Sequence, residues 1–151
     1  MRKKKVIKTP VNNQKQVNLK KAYRDTGYPV FRFDRIDKSG DFAFDTSKEN
    51  FSHKDFLDKM IAYSNMTWSE IKRQTHDAGK SKHHFLSNPE KLSKQAKMRL
   101  KNLALEDMAD SLFSFAFNNT LRIIGLVNGD DFHVLWYDAN HEVYPSKKKH
   151  T

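Results

Sequence analysis

Two groups of side chains in this sequence have the residue types of metal-independent phosphodiester chemistry. The first is Lys72, Arg73, His76, Lys80, Lys82, His83 and His84, gathered within thirteen residues around Gly79. Imidazole titrates near neutrality and serves as general acid or base. Lysine and arginine hold phosphate and stabilise the extra charge of a pentacovalent transition state. The second group is Arg122, His141, Tyr144 and Lys147, with Lys148 beside it. In RNA the 2′-hydroxyl supplies the nucleophile, so proton transfer and charge stabilisation are all a protein must add. The plainer readings are an exposed polar loop for the first group, and a structural arginine with a capped turn for the second.

Other chemistries find little support. The chain has 151 residues and no cysteine, which excludes disulfides, zinc–thiolate sites and a thiol nucleophile. None of its seven histidines forms an H-E-x-x-H pattern. His83 and His84 are adjacent, so their side chains diverge on regular structure. A metal site from His76, Asp77 and His83 is conceivable but has no tight ligand spacing, so neither a metal nor a cofactor is expected. The five glycines form no phosphate-binding loop, and Asp130-Asp131 reads as turn chemistry rather than as paired catalytic carboxylates. Trp136 and Tyr137 could stack on a base, but their apolar neighbours place them in the core.

These residues need elements to hold them. Val30–Ile36 alternates apolar and polar residues and reads as a strand. Ser52 caps a helix with Phe56, Leu57, Met60, Ile61 and Ser64 on one face, and Thr67 caps a short second helix carrying Trp68 and Ile71. Residues 77–87 have loop composition. Ser87-Asn88-Pro89-Glu90 opens a third helix with an apolar stripe of Leu92, Ala96, Leu100 and Leu103 and a lysine-rich opposite face. Phe113, Phe115 and Phe117 share one face of a strand. Asn118-Asn119 and Asn128-Gly129 then turn the chain into a second strand, from Leu121 to Val127, and a third, from Phe132 to Tyr137. The expected fold is α+β: an N-terminal strand, two to three helices, then a three-stranded antiparallel meander packed against the helices on one face. In that meander Arg122 sits near the open end of the last hairpin, toward His141 and Tyr144, and His133 at the opposite end.

Charge divides the chain further. Residues 1–24 hold nine basic residues and no acid, among them Lys3, Lys4 and Lys5. They are expected to form a flexible basic arm that binds polyanions through counterion release. Residues 147–151 are a basic tail with three lysines. Between them, 25–146 is expected to be one α+β domain with sixteen basic and eighteen acidic residues. No apolar run has the length of a secretory signal or a membrane span, so a cytoplasmic location without membrane contact is expected.

The strand Leu121-Arg122-Ile123-Ile124-Gly125, followed by Phe132-His133-Val134-Leu135-Trp136-Tyr137-Asp138 and His141-Glu142-Val143-Tyr144, is similar to the endings of small bacterial and phage-type proteins. The element order resembles that of the RelE/YoeB superfamily of toxin ribonucleases. That resemblance implies mRNA cleavage, often on the ribosome, and neutralisation by an acidic antitoxin-like partner. It carries Arg122, His141, Tyr144 and Lys147 over as catalytic candidates. Lys3, Lys4, Lys5, Lys72, Arg73, His76, Lys80, Lys82, His83 and His84 are the expected nucleic-acid contacts. This chain departs from the superfamily in its greater length, its basic arm and its third helix. The alternatives are a non-catalytic nucleic-acid-binding protein and a protein-interaction accessory of phage or mobile-element origin.

Overall fold

The structure, a computed structural model, describes residues 26–146. Among them the chain forms five strands and three α-helices: β1 (Val30–Arg32), α1 (His53–Ser64), α2 (Trp68–Arg73), β2 (His84–Phe85), α3 (Lys94–Asn102), β3 (Leu112–Ala116), β4 (Arg122–Asn128) and β5 (Asp131–Asp138). The class is α+β. The meander β3–β4–β5 is the middle of a larger mixed sheet ordered β1-β5-β4-β3-β2. β1 joins its outer edge parallel to β5, with Phe31 opposite Phe132. β2 joins the other edge antiparallel to β3, with His84 opposite Ser114.

The helices lie on both faces of this sheet, not on one. Alternation along β3 and β4 explains why. Phe113, Phe115, Phe117, Ile123 and Val127 enter one core with Tyr63 of α1 and Trp68 and Ile71 of α2. Leu112, Ile124 and Leu126 enter a second core with Ala96 and Leu100 of α3 and Leu86. A meander apolar on both faces has two surfaces to bury, and each takes its own helical layer. The loop after β1 bridges the layers, sending Phe42 into the α3 core and Phe44 into the α1 core.

Local signals account for the helix boundaries. Ser52 Oγ accepts from Asp55 N–H at the start of α1, and Thr67 and Glu70 form a reciprocal capping box on α2. α1 buries only part of the expected stripe. Phe56, Met60 and Tyr63 meet the core, whereas Leu57 and Ile61 are exposed. Asn88 and Pro89 open only a single 3-10 turn, Pro89–Lys91, and α3 begins separately behind a Ser93 cap. No helix among the described residues is long and apolar enough to cross a membrane.

Residues 74–82, which take in the expected end of the second helix near His76 and the start of the expected loop 77–87, form a small hairpin. Thr75 and Ser81 make a β-bridge, His76 N–H donates to Lys80 O at 2.8 Å, and Lys82 N–H donates to Gln74 O at 3.0 Å. Gly79 closes it at φ +79°, a conformation that suits glycine.

Candidate active site

The register of the sheet fixes which functional side chains share a face. Arg122 opens β4 opposite Asp138 on one side and Ala116 on the other. The next row on that face is Trp136, Ile124, Ser114 and His84. His83, one residue earlier, turns to the opposite face against Tyr63 and Phe115. The two adjacent histidines therefore serve different layers.

His83 is occupied inside the protein. Its Nδ1 accepts from Ala116 N–H at 3.0 Å, so Nε2 carries the proton and donates to Gln74 Oε1 at 2.7 Å. Burial, reinforced by positive charge from Lys82, Arg122, His76 and Lys59, pushes its pKa down to about 3. This ring is a neutral structural link, although the sequence groups it with the nucleic-acid contacts. Tyr63 beside it donates its hydroxyl proton to Ala116 O, and burial pushes its pKa up to about 12.

Arg122 is buried, and its Nη1 donates to Asn118 O at 2.9 Å and Leu121 O at 3.1 Å. It therefore closes the β3–β4 turn while placing a charge beneath it. Burial lowers its pKa, and the opposing Asp138 favours the charge. Asp138 in turn accepts from Glu142 N–H at 2.8 Å and Val143 N–H at 2.9 Å, which folds the turn that presents His141. Burial is the main influence on this carboxyl and raises its pKa. His141 adopts φ +56° within that turn. Burial lowers its pKa, and the charges of Arg122, His84 and His76 lower it further. Its imidazole is thus held neutral near pH 7, the state a general base requires.

The basic hairpin and the C-terminal turn therefore meet at one end of the sheet. Two clefts include residues of these elements. The first, about 540 Å³, includes Lys59, His76, Asp77, Lys82 and Asn119 in its lining. The second, about 440 Å³, is lined by Lys80, His84, Lys91, Tyr144, Pro145 and Ser146. Tyr144 accepts from Asn88 N–H at 3.3 Å, and its ring lies 6.1 Å from that of His84. Ser93 N–H donates to Val143 O at 2.9 Å and pins the tail to the start of α3.

Other expected residues are placed elsewhere. Lys72 lies with its ammonium 5.5 Å from the Phe85 ring centre, and neither it nor Arg73 lines these clefts. His133 bonds Asp34 at 2.7 Å on β5, beside the β4–β5 turn. Trp136 and Tyr137 are core residues. Lys3, Lys4, Lys5 and Lys147 lie outside the described residues. Lys59, Lys91 and Asn119 join the clefts without having been expected there. Lys91 belongs to the lysine-rich stretch visible in the sequence, whereas Lys59 and Asn119 have no local signal. Among the described residues no group of three or more acidic or histidine side chains is placed to hold a metal ion. No protein-family model matches the chain, and no curated protein or solved structure matches it either.

Proposed function

We propose that this protein acts on RNA as a metal-independent endoribonuclease of the toxin type. In this reading His141 or Tyr144 moves protons, and Arg122 supplies positive charge beneath the phosphate. His76, Lys80, Lys82 and His84 hold the strand alongside. The observation that carries the reading is the convergence at His141. Its imidazole is buried enough to stay neutral and shares its surroundings with Arg122, His84 and His76, which come from three separate stretches of sequence. A neutral base near the Arg122 guanidinium suits transphosphorylation, in which a proton leaves the 2′-hydroxyl while negative charge grows on phosphorus. The resemblance to RelE/YoeB toxins adds the expectation of ribosome-bound mRNA as substrate, of an acidic antitoxin-like partner and of a cytoplasmic location.

The test is cleavage of RNA in EDTA, both naked and on translating ribosomes, by wild type, His141→Ala and Tyr144→Phe. Cleavage by wild type and its loss by about 100-fold or more in His141→Ala are expected. A wild type inert on both substrates would remove the reading.

One observation favours a non-catalytic reading. Arg122 Nη1 and both ring nitrogens of His83 are already bonded within the protein, so part of the cationic group serves the fold. Under that reading the same surface holds RNA without cutting it, and wild type binds but leaves the strand intact.

A further inference from the structure

Six histidines lie among the described residues, and their surroundings separate them sharply. His83 has both nitrogens bonded inside. His133 is paired with Asp34 beside the β4–β5 turn. His53 stacks edge-on to Phe51 at the start of α1, and His76 is exposed on the hairpin. His141 is the neutral base of the preceding section. His84 is the remaining one, and its geometry is specific.

The Nδ1 of His84 lies 3.0 Å from Phe85 O, an acceptor only, so Nδ1 carries a proton in every charge state of the ring. Proton exchange is thereby confined to Nε2. The ring is half-buried, lies beside Tyr144 and lines a cleft with Lys80 and Lys91. Two ammonium groups from different elements supply charge for one phosphate. Because the Tyr144 oxygen accepts from Asn88 N–H, its own proton is left to donate to a phosphate oxygen. Arg122 opens β4 one row from His84 on the same face of the sheet, and both act on the charge of His141, although neither Arg122 nor His141 lines this cleft.

We propose that the cleft of Lys80, His84, Lys91 and Tyr144 receives the scissile phosphodiester of an RNA strand, and that His84 Nε2 gives its proton to the departing 5′-oxygen. The inference rests on the ribonuclease reading and assigns the half of the reaction that His141 does not perform. The 2′-oxygen forms a bond to phosphorus as its proton passes to the His141 imidazole. The bond from phosphorus to the 5′-oxygen breaks, and that oxygen takes the proton from His84. The products are a 2′,3′-cyclic phosphate and a 5′-hydroxyl. His141 ends protonated and His84 neutral, so charge and protons balance, and solvent resets both rings.

A substrate pair tests this in the full chain. One is an ordinary RNA oligonucleotide, and the other has sulfur in place of the bridging 5′-oxygen. A thiolate leaves without protonation, so loss of a general acid is rescued by the sulfur substrate and loss of a general base is not. His84→Gln is expected to slow cleavage of ordinary RNA by about 100-fold or more and of the sulfur substrate by less than about 3-fold. His141→Gln is expected to slow both. His84→Asn is the second variant, and thermal melts show that each variant folds. Equal losses on the two substrates, or full activity of a folded His84 variant, would overturn the acid role and leave the ribonuclease reading standing. A wild type inert on both substrates removes that reading and the acid role together. Phosphate binding is then read from the ring nitrogen resonances of wild type titrated with inorganic phosphate. A saturable shift at His84 that Lys91→Ala abolishes supports the cleft as a phosphate site, and an unmoved resonance overturns it.

Discussion

His83 and His84 show how much depends on which side of a strand a residue occupies. One is sealed between Tyr63, Phe115 and Gln74, and the other faces a cleft. Their divergence is legible from adjacency alone. Which of them turns inward is not, because β2 is two residues long and offers no alternation to read. The buried ring leaves a thermodynamic signature. In the unfolded chain a histidine titrates near 6.5, whereas His83 in the fold is held at about 3. Between those values the unfolded state binds a proton that the native state refuses. The stabilisation is therefore complete above about pH 6.5 and is lost as pH falls toward about 3, at up to about 1.4 kcal/mol per unit. His141 is shifted in the same direction and adds to the slope. Urea denaturation between pH 7 and pH 5 should show this loss, before most carboxylates titrate. His83→Leu should flatten the slope and cost about 2–3 kcal/mol at pH 7, because it strands the Ala116 N–H. A wild type equally stable across that range would mean that the ring is not held neutral.

At the level of elements, one irregularity brings the site together. From the Asn128–Asp131 pair inward, β4 and β5 run in simple register as far as Gly125 opposite Val134. A bulge then pairs Ile124 with Trp136, and Leu135 and Trp136 both turn into the α3 core. Counting from the Asn128-Gly129 turn alone would set Arg122 against Tyr137. The extra residue sets it against Asp138, the carboxylate that folds the His141 turn. The hairpins, the phenylalanine face and the end of the sheet carrying Arg122 were therefore readable from turn chemistry and alternation. The Arg122–Asp138 pairing was not, because the isolated Gly125 marks a close approach or a bulge without saying which strand gains the extra residue. The inward face of α1 was legible in part: Phe56 and Met60 turn inward as their spacing predicts, whereas Leu57 and Ile61, equally apolar, stay exposed. Gly125 makes the bulge possible. A Cβ there would overlap His133 O and lie 2.6 Å from Phe132 Cζ. Gly125→Ala is expected to cost about 2–3 kcal/mol and to lower activity, through the displaced Arg122–Asp138 row. Gly79→Ala meets no atom and should cost about 1 kcal/mol, from its positive φ alone. Equal melting shifts for the two would show that close approach at the bulge is unimportant.

Across the whole molecule, a buried carboxylate ties α3 to the sheet. Asp37, 3% exposed, accepts from Arg99 of α3 at 2.8 and 3.0 Å and from Trp136 Nε1 of β5 at 2.8 Å. Burial opposes its charge, but these bonds outweigh burial and hold its pKa below the ordinary value. Asp37→Ala leaves Arg99 without its partner and should cost about 3 kcal/mol. The fold thus uses one of the cations of α3 for itself. The remaining charge divides by location. Residues 25–146 hold sixteen basic against eighteen acidic residues, yet gather Lys59, His76, Lys80, Lys82, His84 and Lys91 around two clefts. Residues 1–24 hold nine basic residues and no acid. On the proposed ribonuclease reading, attraction to RNA and chemistry on RNA should therefore be separable. Each phosphate contact on a single strand contributes about −0.7 to the slope of log affinity against log salt, so deleting 1–24 should flatten that slope by up to about 6. At saturating RNA the truncated chain should cleave at the rate of the full chain. His84→Gln should do the reverse, keeping most of the salt slope while losing the rate. A truncation that abolishes cleavage at saturation would instead place the arm within the chemistry, and the clefts alone would not account for the site.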